Sequence, residues 1–418
     1  MRLNVSIKKR LLLGAIAVTA SALVLTGCST SSDSGDSGSK TITFLSWDTQ
    51  QVMQPMISLY EKENPGYKVN VSYAPPVPQY ISKLQTMLSA NDAPDVFIIT
   101  AENKTQLMDN GLVKDLSGLS WTSNLAEAAR ATYTKDGKLY GSATGSWGGG
   151  FIVNTALLAK FGYTEPPKTW DDFLAMCKKV EAGGVVPYLE AGDGVPVTLA
   201  ALLGIDNQKQ GGNVTQQIWD GKTTFAKAWT PAIQQWYKLY SENIVPRTVA
   251  GLTGDQVNQE FEQGKIAMMG TGSWAYNNIK AAMPNTDLTF WPVSGPTGKS
   301  FWAGAVNPGL AINAKSKNVA AAENFLKFMQ TKAAVEKYQG LTQTIITTKD
   351  FTPSLPAALD LMVPAVREGN FFLPAVAYPS NSDSMSTQTT ALLQQTISGQ
   401  ITPLQFAQGL DQKLASVK

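Results

Sequence analysis

Histidine is absent from the 418-residue chain. That excludes Ser-His-Asp and Cys-His triads, histidine-zinc sites and the commonest general base in catalysis. Cysteine is nearly absent: Cys28 and Cys177 are the only two. With Cys28 assigned elsewhere below, Cys177 has no disulfide partner, and its place on an apolar helical face makes it a small buried hydrophobe. No glycine-rich phosphate loop of the Walker type occurs. No metal or cofactor is therefore expected. A glycosidase needs only two carboxylates, so carbohydrate chemistry survives these exclusions.

What is present begins with Arg2, Lys8, Lys9 and Arg10, an apolar run from Leu11 to Val24, and the ending Leu25-Thr26-Gly27-Cys28. Charge, length and small residues mark residues 1–27 as a secretory signal peptide, too short to span a bilayer comfortably. The Leu-x-Gly-Cys ending resembles the bacterial lipoprotein signal, which implies cleavage before Cys28 and lipid on its thiol and amine. The alternative is an ordinary signal peptide with an incidental cysteine. Removing residues 1–27 takes away four basic residues and leaves 30 basic against 32 acidic, a formal charge of −2. Such a chain has no electrostatic case for nucleic acid. Ser29 to Ser39 is small and polar throughout. It reads as a disordered tether with an end-to-end distance of roughly 18 Å.

Residues 40–418 are too many for one core, so two domains are expected. Thr41–Trp47, Tyr67–Tyr73 and Pro94–Ile99 read as strands. Between and after them, helices are marked by Val52, Met56, Leu59 and Tyr60, by Ile81, Leu84 and Leu88, and by Thr105 to Asn110. Alternation with continuous apolar strands predicts an α/β fold with mostly parallel sheets. The stretch Lys138–Asp172 organises the chain. Leu139-Tyr140-Gly141 ends a strand. Ser142 to Gly150 reads as a small-residue loop holding one large side chain, Trp147, and Phe151-Ile152-Val153 reads as a buried strand. After Pro166-Pro167, Thr169 caps a new helix with Asp172 three residues on, and Trp170, Phe173, Leu174 and Cys177 share its apolar face.

This stretch resembles the pattern of the family 1 extracellular solute-binding proteins, the sugar receptors of bacterial ABC importers. Four further segments match the same family in order: Gln79–Val96, Phe261–Ala275, Ala311–Phe328, and the closing segment from Leu392. The resemblance implies a two-lobed α/β fold, each lobe a mostly parallel sheet flanked by helices, with a ligand cleft between. It implies discontinuous lobes, about 40–143 plus 304–355 and 144–303 plus 356–418. It further implies an oligosaccharide ligand, transmembrane permease subunits as partners, a monomer, and a non-enzymatic receptor on the outer face of the cell membrane. The anchor and tether fit a Gram-positive cell.

A sugar site needs flat aromatics for C–H faces and directional polar groups for hydroxyls. Trp47 and Asp48 end the first strand, and Glu102 and Asn103 follow the third, where ligands bind in open α/β sheets. The resemblance places Trp147 at the first lobe crossing, Trp274 where it stacks on sugar, and Trp302 near the second crossing. Tyr378 lies in a loop before the last helices. Core packing is the competing reading for each. Glu190 and Asp193, on a glycine-rich loop, read equally as sugar ligands or as a solvated pair. They are also the first carboxylates to consider in the rival reading, a secreted carbohydrate-active enzyme. A receptor for a polyol phosphate would need a basic cluster that these candidates lack.

Overall fold

The computed structural model describes residues 39–418, so the expected leader, Cys28 and nearly all of the expected tether lie outside the described residues. Two large hydrophobic cores form. One draws on residues from Ile42 to Ala143 and again from Val306 to Tyr338. The other draws on residues from Phe151 to Trp302 and again from Ile345 to Leu414.

The first core is built on a four-stranded sheet in the order Gly309–Ile312, Val96–Ile99, Thr41–Ser46, Lys68–Tyr73. The last three run parallel, with Phe44 level with Val96 and Val71. Gly309–Ile312 closes the other side antiparallel, Leu310 opposite Ile98. Val96-Phe97-Ile98-Ile99 is buried at every position, as a central strand covered on both faces must be. Lys68–Tyr73 instead alternates and forms the edge. Helix Gln50–Glu63 buries Met53, Met56, Ile57 and Tyr60, one face at helical spacing.

The second sheet departs from the expected parallel pattern. Its central strand, Gly145–Asn154, pairs antiparallel with Ser300–Val306, Ile266–Gly272, Leu288–Trp291 and Ile345–Ile346. Only Val186–Leu189 on Ile266–Gly272 and Phe371–Phe372 on Ser300–Val306 are parallel. The segment Gly145–Gly150, read above as loop, is the first half of that strand. Its glycines suit close approach rather than a turn. A Cβ on Gly148 would meet Met362 Cγ at 2.6 Å, and one on Gly150 would meet the Trp291 carbonyl at 2.4 Å. Helix Trp170–Ala182 forms as expected, with both halves of the Thr169–Asp172 capping box and Trp170, Phe173, Leu174 and Cys177 buried.

The chain passes between the cores three times: between Ala143 and Phe151, between Trp302 and Val306, and between Tyr338 and Ile345. Ile345 and Ile346 already pair with Ser146 and Gly145, ahead of the boundary expected at 355.

Two of the family-like segments prove to meet at one carboxylate. Asp95 Oδ2 accepts from the Thr43 amide and hydroxyl at 2.9 Å each, and Asp95 Oδ1 accepts from Ser316 Oγ at 2.6 Å. Asn318 Nδ2 donates to both oxygens at 3.3 Å. Partial desolvation works to raise the carboxyl, but the bonds from Ser316, Thr43 and Asn318 win and hold it below the usual range. Asp95→Ala should therefore lower the stability of the fold by about 1.5–3 kcal/mol, the worth of hydrogen bonds to a charged group, with ligand affinity unchanged. Urea unfolding beside a binding titration checks both halves.

Candidate ligand-binding cleft

The parallel strands of the first lobe deliver their C-terminal ends to one edge. Trp47 and Asp48 follow Thr41–Ser46 there, and Ala101 and Glu102 follow Val96–Ile99. Trp47 is half-buried and lies edge-on to Tyr80, centroids 6.2 Å apart. Asp48 donates its amide to Ser46 Oγ at 3.0 Å, and Tyr338 donates its hydroxyl to Asp48 Oδ2 at 3.1 Å. Burial outweighs that bond and pushes the Asp48 carboxyl up to about 6.

The second lobe contributes two indoles set by strand register. Gly149 is paired with Gly272 in the antiparallel ladder, so Trp147 and Trp274 fall opposite one another two positions on. Their rings meet edge to face at 4.8 Å and 88°. The glycines beneath them are required. A Cβ on Gly272 would lie 1.8 Å from Trp274 Cζ3, and one on Gly149 would lie 3.1 Å from Trp147 Cζ3. Trp274 keeps 49% of its surface exposed, although Trp side chains are usually largely buried.

Trp47, Asp48, Glu102, Trp147 and Trp274 all line one chamber of about 480 Å³ between the lobes. Asn307, Pro308, Thr342 and Thr344, at the second and third crossings, line it as well. A second chamber of about 680 Å³ shares Val77, Glu102 and Leu373 with the first and reaches Asp193. Among the described residues no lysine or arginine lines either chamber. Beyond Glu102 the lobes touch directly. Lys104, buried, donates through Nζ to the Val376 carbonyl at 2.7 Å, and burial pushes its ammonium down to about 8. Thr105 Oγ1 donates to Ser382 Oγ at 3.3 Å.

Four candidates lie elsewhere than expected. Glu190 is 1% exposed. It accepts from Tyr188 Oη at 2.7 Å, Trp236 Nε1 at 2.7 Å, Tyr240 Oη at 2.9 Å and the Thr198 hydroxyl. Desolvation raises its carboxyl above the ordinary value despite those donors. It is a sealed cross-link of the second core, not a rim residue. Trp302 is buried with its ring against Gly150. Strand alternation puts Gly150 on the face opposite Trp147 and Gly149, so Trp302 faces away from the chamber. Tyr378 is buried between Trp219 and Trp229, centroids 5.4 and 6.3 Å away, with its hydroxyl 3.0 Å from Thr389 Oγ1. Asn103 is buried too: its Oδ1 accepts from the Thr100 amide at 2.9 Å, making a turn rather than facing the chamber. Asp193 is exposed at the second chamber and accepts from the Gly254 amide at 3.0 Å. Tyr338, Asn307, Pro308 and Thr344 were missed. Tyr338 belongs to a helix whose buried face looks like any other, and no local signal marks it.

Two lobes, three crossings and an aromatic chamber between them make a solute-binding protein by architecture. Residues 56–360 match the family described as bacterial extracellular solute-binding protein, and the chain belongs to that family. A solved family 1 extracellular solute-binding protein from Bifidobacterium longum subsp. infantis is 31% identical. The match covers 91% of this chain and 100% of that one, with a TM-score of 0.75. The multiple sugar-binding protein of Streptococcus mutans is 24% identical, covering 82% of this chain and 83% of its own length. The melibiose/raffinose/stachyose-binding protein MelE of Bacillus subtilis is also 24% identical, over 74% and 75%.

Two outcomes follow from the geometry. Gly272→Ala forces the Trp274 ring off its seat, so the near-ultraviolet circular dichroism of the indole pair should change while the far-ultraviolet spectrum holds. Asp48 is raised to about 6 when folded against an unfolded value near 4, so the folded state holds a proton that the unfolded chain releases. Its contribution to stability is present below pH 4 and is lost as pH rises through 6. The difference in melting temperature between wild type and Asp48→Asn should change over that window and be flat above it.

Proposed function

We propose that this protein is the receptor of an ABC importer, capturing an oligosaccharide between its lobes and delivering it to the permease. The observation that carries the reading is the glycine-seated Trp147–Trp274 pair, with Trp274 half exposed, facing a chamber that also holds Trp47, Asp48 and Glu102. Flat indoles suit the C–H faces of sugar rings, and the carboxylates accept from hydroxyls. The absence of cationic lining among the described residues weighs against a phosphorylated or otherwise anionic solute. The names of the Streptococcus and Bacillus relatives favour a sugar, and melibiose, raffinose and stachyose are the first to try.

The enzyme alternative loses its first pair of carboxylates, because Glu190 is fully engaged inside the core. The core handovers support lobes of roughly 40–143 plus 304–342 and 144–303 plus 343–418. A ligand bridging both lobes binds the closed form better and shifts the equilibrium towards it. The Lys104–Val376 and Thr105–Ser382 contacts join the lobes at the far side of Glu102 and fit a closed arrangement. Cys28 carries the lipid anchor and Ser29–Ser39 the tether, holding a monomer at the outer face of a Gram-positive membrane.

A thermal-shift screen of residues 40–418 against an oligosaccharide panel should give a ligand that raises the melting temperature by mass action. Trp274→Ala should weaken that ligand by on the order of 1–3 kcal/mol, the worth of a large apolar contact, with the fold intact. Solution scattering should show a smaller radius of gyration on saturation. An unchanged radius would leave a binder that does not close, and unchanged affinity in Trp274→Ala would remove the stacking role.

A further inference from the structure

We propose that Asn277 is a positioning residue for the ligand: its side chain clasps the third crossing of the chain to the turn that carries Trp274, and so sets the spacing between that indole and the Tyr338–Asp48 pair across the cleft. The inference rests on the reading of the cleft as a sugar site. Helix Lys332–Thr342 belongs to the first lobe, with Tyr338 in its core and Leu341 packed against that core. A helix leaves its last carbonyls without intrahelical partners. Here two of them find a donor in the other lobe. Asn277 Nδ2 donates to the Gly340 and Leu341 carbonyls at 3.3 Å each. Asn277 Oδ1 in turn accepts from Gln343 Nε2 at 2.9 Å. Both ends of one side-chain amide are therefore engaged on the stretch from Gly340 to Gln343.

Asn277 lies in helix Tyr276–Ala282, whose Ile279 is buried in the second core, and it stands three residues after Trp274. The segment it holds has little slack. Gln343 turns the chain with a φ of 55°, and only Thr344 separates it from Ile345, which pairs with Ser146. Thr342 Oγ1 donates to Thr344 Oγ1 at 2.8 Å, and a Cβ on Gly145 would lie 2.4 Å from the Thr344 methyl. Tyr338, Thr342 and Thr344 line the chamber from this segment, and Trp274 lines it from the second lobe. Asn277 itself is not among the lining residues. An effect of Asn277 on binding therefore passes through the groups it holds in place.

The test is a double-mutant cycle. Asn277→Leu keeps the size of the side chain and removes all three bonds. Asn277→Asp keeps the acceptor for Gln343 but turns a carboxylate on two carbonyl oxygens. Melting curves confirm that both fold. Titration calorimetry uses melibiose, raffinose, stachyose and maltotriose. For whichever binds the wild type, each Asn277 variant should weaken affinity by roughly five- to fiftyfold, the range for coupled residues. In a Trp274→Ala background, Asn277→Leu should cost less than about twofold, because the indole it places is gone. Where Trp274→Ala binds too weakly to titrate, Trp274→Phe takes its place, and the cost of Asn277→Leu should again fall. A cap that serves stability alone would lower the melting temperature and leave the same factor in both backgrounds. That result, or wild-type affinity in Asn277→Leu, overturns the proposal. If none of the four sugars binds the wild type, the sugar reading falls and this proposal with it, an outcome distinct from the others because the unsubstituted protein fails too.

Discussion

The site depends on the absence of side chains beneath it. Across the centre of the second sheet, Ala303, Gly149 and Gly272 stand side by side on three neighbouring strands. That row of small residues is the floor above which the two indoles meet edge to face, with Trp274 still half exposed. Close packing makes such a floor intolerant: a methyl at Gly272 collides with the ring it supports, and one at Gly150 collides with backbone. The placing of the indole pair and the geometry of the sheet are therefore one constraint. The same strand that carries Trp147 pairs with the segments at the other two crossings, so the floor is laid at the joint between the lobes.

Polar groups in this protein divide by whether they are satisfied. Glu190 has four donors and Asp95 has three donor residues, and each fastens separate segments of one lobe. The Asp48 carboxylate has one donor, Tyr338, and that of Glu102 none among the described residues, and both line the chamber. A carboxylate with spare acceptor capacity beside water is available to a ligand; one enclosed by donors is not.

Much of the first lobe was legible because its strands are continuous apolar runs separated by helices of ordinary period, and because ligand positions in such sheets follow strand ends. Trp47, Asp48 and Glu102 stand at such strand ends and line the chamber. The second lobe was less legible. Glycine-rich sequence reads as loop when neighbouring strands are unknown, so the first half of Gly145–Asn154 was missed, although Trp147 within it was singled out. Glu190 and Trp302 misled for a related reason. One follows a strand and the other precedes Ala303-Gly304, but burial was decided by helices Val197–Lys209 and Thr230–Ser241 and by strand parity, none of which is local. The roles of Asp95, Ser316 and Asn318 were hidden because their partners are more than 200 residues apart in the chain.

The strand Gly309–Ile312 completes the first sheet by pairing with Val96–Ile99, and the Phe151 to Trp302 part of the second core lies between them in sequence. The loop that this pairing closes is long, and closure entropy must be met before the contact is made. Neither lobe is whole until the chain has visited the other: the first keeps an open flank at Ile98 and Ile99 until Gly309–Ile312 returns to it, and the second still awaits Ile345 to Leu414 after that. For a protein of an extracellular family, that order of assembly delays a finished amino-terminal domain until most of the polypeptide has been delivered.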